Sequence, residues 1–70
     1  MQEFHLKPDQ EFIPLIQLLK AVGVAYSGSE AQQMVVSGMV RVNGETELRK
    51  RAKIRSGFTV EVEGSKVKVV

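Results

Sequence analysis

Cysteine and tryptophan are absent from this chain, histidine occurs once and proline twice. Without cysteine there are no disulfides to staple a small fold and no thiolate metal sites. The single imidazole, His5, rules out clustered histidine ligands and confines any Ser–His pairing to one residue. Three Phe and one Tyr are the only aromatics, so the core must be built from Val, Leu, Ile and Met. The same scarcity leaves no aromatic platform on which successive single-stranded bases can stack; Tyr26 is the lone exposed candidate. No apolar run approaches the roughly 20 residues that span a bilayer. The stretch from Met1 to Leu6 has neither a basic nor an apolar signal region, so a cytoplasmic protein with no membrane partner is expected. Nucleophile–base pairs, metal clusters and Gly-rich phosphate loops are also missing, so neither catalysis, a cofactor nor a small-molecule substrate is expected.

What is present fits one domain over residues 1–70: 43% of the residues are hydrophobic and 26% charged. A binding module suits this size better than an enzyme with its own cleft. The formal charge of +2 is unevenly spread. Between Arg41 and Arg55 stand six basic residues against Glu45 and Glu47, a local +4, while the remainder carries four basic and six acidic groups, a local −2. The field is therefore polarised along the chain.

Hydrophobic periodicity orders the elements. Glu3-Phe4-His5-Leu6 alternates as a short strand with Phe4 and Leu6 inward, and Lys7 to Gln10 reads as a loop. A helix is predicted from Pro14, with Leu15, Leu18, Leu19 and Val22 as its apolar stripe and Gly23 at its C-terminal end. Ser27 and Glu30 have the spacing of a capping box for a second helix, which buries Ala31, Met34 and Val35 and stops at Gly38. Val40-Arg41-Val42 then alternates with period two into the turn signal Asn43-Gly44. A regular hairpin there sets Val42 opposite Glu45 and Val40 opposite Glu47, so Glu45 to Lys53 is expected to leave the sheet as an extended loop. Beyond it, a turn at Gly64-Ser65 is predicted to pair Val62 with Val67 and Val60 with Val69. That register also sets Glu63 opposite Lys66 and Glu61 opposite Lys68, neutralising the hairpin's wet face.

The segment from Arg49 to Arg55 holds five cations in seven residues: Arg49, Lys50, Arg51, Lys53 and Arg55. A phosphate backbone is a natural counterpart, because binding releases condensed counterions and Arg offers planar bidentate contacts. A solvated loop whose charges aid solubility is the other reading, and this segment alone leaves both open. Arg41 on the outward face and the Asn43 amide add possible donors to phosphate or ribose. Ser27, at a helix start, is a helix cap that can also meet a phosphate, with Glu30 opposing it.

Taken in order, Leu18-Leu19-Lys20-Ala21-Val22-Gly23-Val24, Ser27, Ala31, Met34-Val35, Gly38 and Val40-Arg41-Val42-Asn43-Gly44 resemble the alpha-L RNA-binding domain. That domain is named for the fourth protein of the small ribosomal subunit, and the resemblance runs from about Phe12 to Glu63. The flanking strands and Glu45 to Arg51 are similar to those of short stand-alone bacterial YbcJ-like proteins. The resemblance implies an α+β fold in which two packed helices lie against a small antiparallel sheet, with short N- and C-terminal strands. It implies non-catalytic binding of structured RNA, ribosomal RNA being the expected kind, by a monomer. By position it implies RNA contacts at Lys20, Ser27, Gln33, Arg41, Asn43, Arg49, Lys50, Arg51, Lys53 and Arg55. Two departures stand out. Ser27-Gly28 replaces a common Ser-Arg, which shifts the burden to the basic segment, and Gly57-Phe58 replaces a common Gly-Asp, a change expected to alter a turn and not the binding face. The alternative function is an adaptor that docks its basic segment on an acidic protein.

Overall fold

In the computed structural model, which describes residues 2–70, two helices and seven strands run in the order β1 (Gln2–Phe4), β2 (Phe12–Pro14), α1 (Leu15–Ala21), α2 (Gly28–Val36), β3 (Val40–Val42), β4 (Glu45–Thr46), β5 (Lys53–Arg55), β6 (Thr59–Val62) and β7 (Ser65–Val69). The two helices arise where the apolar spacing places them. Leu15, Leu18 and Leu19 of α1 are buried, as are Ala31 and Val35 of α2, while Val22 and Met34 pack at the margin. Pro14 precedes α1 as its N-cap with an extended backbone and provides no side-chain cap. Both helices end in Schellman motifs. Gly23 N–H donates to the Lys20 carbonyl and Val24 N–H to that of Leu19; Gly38 and Met39 repeat the pattern with Val35 and Met34.

Five strands form one sheet in the order β1-β7-β6-β3-β4, and β2 pairs with β5 in a separate two-stranded ribbon. Val40, Val60, Val62, Val67 and Val69 face the helices and are buried. The expected combination of a helix pair and a small sheet is therefore what forms. The larger sheet is mixed rather than purely antiparallel, because β1 runs parallel to β7 with Gln2 beside Val67 and Phe4 beside Val69. Leu6 N–H donates to the Val70 carbonyl and Val70 N–H to that of Phe4, extending the pairing, and Phe4 and Leu6 pack on the core as the alternation requires. Parallel pairing of distant segments leaves no turn signal to read.

Two further departures have local causes. The chain from Glu45 to Lys53 does not leave the sheet at once. Asn43 (φ 53°) and Gly44 (φ 86°) form a type I′ turn that pairs Val42 with Glu45 and Arg41 with Thr46 before the strand ends. At the other end, Lys53–Arg55 is a strand, pairing Ile13 with Ile54, both buried, and Phe12 with Arg55. The β6–β7 register also differs by two residues from the pairing expected. Val60 faces Val67, Glu61 faces Lys66 and Val62 faces Ser65. A shift of two keeps every side chain on its own face, so the hydrophobic pattern cannot choose between the registers. The turn chooses: Glu63 (φ 45°) and Gly64 (φ 85°) occupy its two left-handed positions, and glycine takes the second without steric cost.

Gly64→Ala is therefore expected to cost about 1 kcal/mol of stability in urea denaturation, because Ala at positive φ is strained. Ser65→Ala, outside the turn pair, is expected to stay within about 0.5 kcal/mol.

Candidate nucleic-acid interface

The basic segment is tied to the body of the fold through its main chain. Helix α1 begins after a proline, so its first N–H groups have no side-chain cap. Leu15 N–H donates instead to the Ala52 carbonyl (2.9 Å), and Ile16 N–H to the Lys50 carbonyl (3.3 Å). Ala52 N–H donates to the Arg49 carbonyl (3.3 Å), closing a turn over Arg49 to Ala52. Two residues further on, Ile54 is completely buried while Lys53 and Arg55 are exposed on the opposite face. Helix terminus, turn and core anchor together set the cations outward from a fixed backbone.

Each cation of the segment has its own surroundings. Arg49 forms a bidentate pair with Glu47, Nε to Oε2 at 2.9 Å and Nη2 to Oε1 at 3.2 Å, while its backbone N–H donates to Oε2 at 3.1 Å. The Arg49 hydrogen bond, opposed in part by burial of the carboxylate, holds Glu47 below the usual Glu range. Hydrogen bonding and charge from Glu47 raise Arg49 in turn. Lys53 Nζ lies 5.1 Å from the centroid of the Phe12 ring and the Arg55 guanidinium 5.7 Å from it, so one half-buried ring steadies two cations. Among the described residues, Lys50, Arg51, Lys53 and Arg55 form no ion pair. Arg49, Arg51 and Lys53 converge on an open concavity of about 470 Å³ whose remaining walls are Ala52 and Phe58.

The other expected contact residues stand apart from this cluster. Arg41 lies on the outward face of the sheet beside Glu61, and its guanidinium donates to the Gly44 carbonyl at 2.9 Å. Asn43 bridges the turn to β6: its N–H donates to the Thr59 carbonyl (2.8 Å), and its Oδ1 accepts from Thr59 N–H (2.9 Å). Lys20 sits in the last turn of α1, where a cation favours the helix C-terminus, about 7.5 Å along the axis from Leu15 at the end that meets the basic segment. Gln33 is exposed on α2. Ser27 Oγ accepts from Glu30 N–H (3.2 Å), and the Glu30 carboxylate accepts from Tyr26 N–H (2.8 Å). Ser27 is thus the N-cap its spacing predicts, and exposed Glu30 places negative charge at that helix end. Tyr26 is 96% exposed beside it.

Four parts of the site carry little or no signal in the sequence. Glu47 enters the charge balance only as a charge to subtract, although its spacing from Arg49 permits a local pair. Phe12 gives no signal, because its pairing with β5 joins segments about forty residues apart over three positions. Ala52 looks like filler within the basic run. Phe58, expected only to alter a turn, lines the concavity with Arg49, Arg51 and Lys53.

The S4 domain family model matches residues 6–70. YbcJ of Escherichia coli (strain K12) is 43% identical over 58 residues, covering 83% of each chain, and YbcJ of Shigella flexneri matches to the same extent. The solution structure of E. coli YbcJ, described as revealing an alpha-L motif involved in RNA binding, superposes with a TM-score of 0.77 at 40% identity. That match covers all of this chain and 87% of the other.

Glu47→Gln removes the carboxylate and keeps a weaker acceptor for Arg49. Because Glu47 titrates below its unfolded value, its contribution to stability is present at neutral pH and lost as pH falls through the folded-state value. Wild type is accordingly expected to be more stable than Glu47→Gln near pH 7, with the difference vanishing in acid below the ordinary carboxylate range. Urea denaturation across pH checks this.

Proposed function

The chain belongs to the S4 domain family, and from that membership we propose that it binds structured RNA without catalysing a reaction, gripping the backbone with its basic segment. The observation that carries this reading is the convergence of Arg49, Arg51 and Lys53 on one concavity, on a backbone pinned to α1. Five cations lie in this segment, and Glu47 neutralises only Arg49. A partner with regularly spaced phosphates offsets their mutual repulsion, and release of its counterions drives association. The fixed backbone sets the spacing of the cations in advance, so little ordering cost is left at binding.

Recognition in this reading depends mainly on shape and backbone charge, as it does for helical RNA whose base edges are hard to reach. Ribosomal RNA is the partner proposed, and the protein acts as a monomer in the cytoplasm. Arg41 and Asn43 extend the surface from the β3–β4 turn, with Lys20, Ser27 and Gln33 as outer contacts. Their present hydrogen bonds give Arg41, Asn43 and Ser27 structural duties as well, so their substitution affects folding and binding together.

Replacing Arg49, Lys50 and Arg51 together by Ala is expected to weaken binding to a structured ribosomal RNA fragment by at least tenfold at moderate salt. The slope of log affinity against log salt should flatten by about 2 to 3, near one for each phosphate that is no longer neutralised. Titrations at several salt concentrations measure both, and unchanged affinity in the triple variant contradicts the reading. Lys66→Ala, paired with Glu61 on the outer sheet face, serves as the control and should bind like wild type. Retention of a protein partner from lysate after ribonuclease treatment would favour docking on an acidic protein instead.

A further inference from the structure

We propose that the concavity walled by Arg49, Arg51, Ala52, Lys53 and Phe58 receives one unpaired nucleotide of the bound RNA, its base against the Phe58 ring and its phosphate among the cations. This rests on the RNA-binding reading and adds a specificity to it: a helix interrupted by a bulged or looped-out residue is preferred to a continuous one. The volume, about 470 Å³, lies within the range of small-ligand sites. Its chemistry is divided as a nucleotide is divided. Ala52 and Phe58 form an apolar floor, and the rim carries three cations.

The floor is built before any ligand arrives. Ala52 is buried, and Phe58 is packed half-buried against the core. Both residues are held through their main chain on each side. Ala52 donates to the Arg49 carbonyl and accepts from Leu15; Phe58 donates to the Arg55 carbonyl (3.1 Å) and accepts from Val69 (2.9 Å). A base entering this site meets a ring that needs no ordering, the condition under which stacking is most favourable. Lys53 links the concavity to the neighbouring Phe12 ring, over which its Nζ lies. A continuous duplex keeps its bases stacked inside and has only phosphates to offer, leaving the apolar floor unused. An acidic peptide without an aromatic side chain would satisfy the rim alone. An extruded nucleotide presents an aromatic plane and an anion one sugar apart, which matches floor and rim together.

The test uses the full chain and three RNA hairpins of common sequence: one fully paired, one with a single bulged adenosine, and one with an abasic residue at the bulge. The bulged hairpin is expected to bind about tenfold more tightly than the other two, the scale of a single base–aromatic stack. NMR of that complex should show nuclear Overhauser contacts between the Phe58 ring and the bulged base, together with shifts at the Ala52 methyl group. Phe58→Leu, which keeps apolar volume against the core, should erase most of the preference and leave the salt slope unchanged. The Overhauser contacts test the site independently, should that variant fold poorly. Equal affinity for all three hairpins, with no contact between Phe58 and the base, overturns the pocket and leaves RNA binding standing. Absence of salt-dependent binding to any hairpin overturns both.

Discussion

The hydrogen bonds from the first N–H groups of α1 to the carbonyls of Lys50 and Ala52 are the constraint on which the proposed binding surface depends. A helix that starts after proline has unsatisfied donors, and the irregular stretch before β5 has unsatisfied acceptors. Each supplies what the other lacks. The exchange also engages the first two N–H groups of α1, those of Leu15 and Ile16, with protein carbonyls. Burial of Ile54 against Ile13 adds an apolar anchor immediately downstream. A run of cations that would otherwise be a mobile solvated loop thereby becomes a turn followed by a strand, with its charges displayed from one backbone.

Charge is arranged differently on the rest of the surface. The outward face of the larger sheet alternates in sign: Arg41 stands beside Glu61, Glu61 beside Lys66, and Lys68 beside Glu3. Such cross-strand neighbours are mutually favourable and leave little net field. In the basic segment only Arg49 has a carboxylate partner, and the Phe12 ring steadies Lys53 and Arg55 without cancelling their charge. Neighbours of opposite sign thus leave the sheet face close to neutral, although among the described residues Arg41, Lys66 and Lys68 form no ion pair, and the uncompensated positive charge lies on the segment tied to α1.

Much of this is legible in the sequence because the signals are local. The stripe of Leu15, Leu18 and Leu19, the Ser27–Glu30 cap and the Asn43-Gly44 turn each act within a few residues, and each forms as expected. The position of the basic cluster is legible from composition alone. What escapes is set by pairing between distant segments. Parallel pairing of β1 with β7 and the three-residue ribbon of β2 with β5 have no turn to announce them. The β6–β7 register escapes for another reason: two registers place the same residues inside, and left-handed geometry at Glu63 and Gly64 decides between them. Phe58 shows the consequence for the concavity. Sequence marks it as altering a turn, and pairing with Val69 together with packing on the core sets it in the wall beside Arg51 and Lys53.

We propose that the basic segment is an ordered surface before RNA arrives and the principal surface that RNA covers. An NMR titration of the isotopically labelled chain with a structured RNA tests it directly, because free-state amide relaxation and RNA-induced shifts are read on the same residues. Relaxation for Lys50 to Arg55 in the free protein is expected to match that of the helices, with the largest shift changes in this segment and at Phe58. A segment that moves freely before binding, or shifts centred instead on the outer sheet face from Ser65 to Val69, would contradict it.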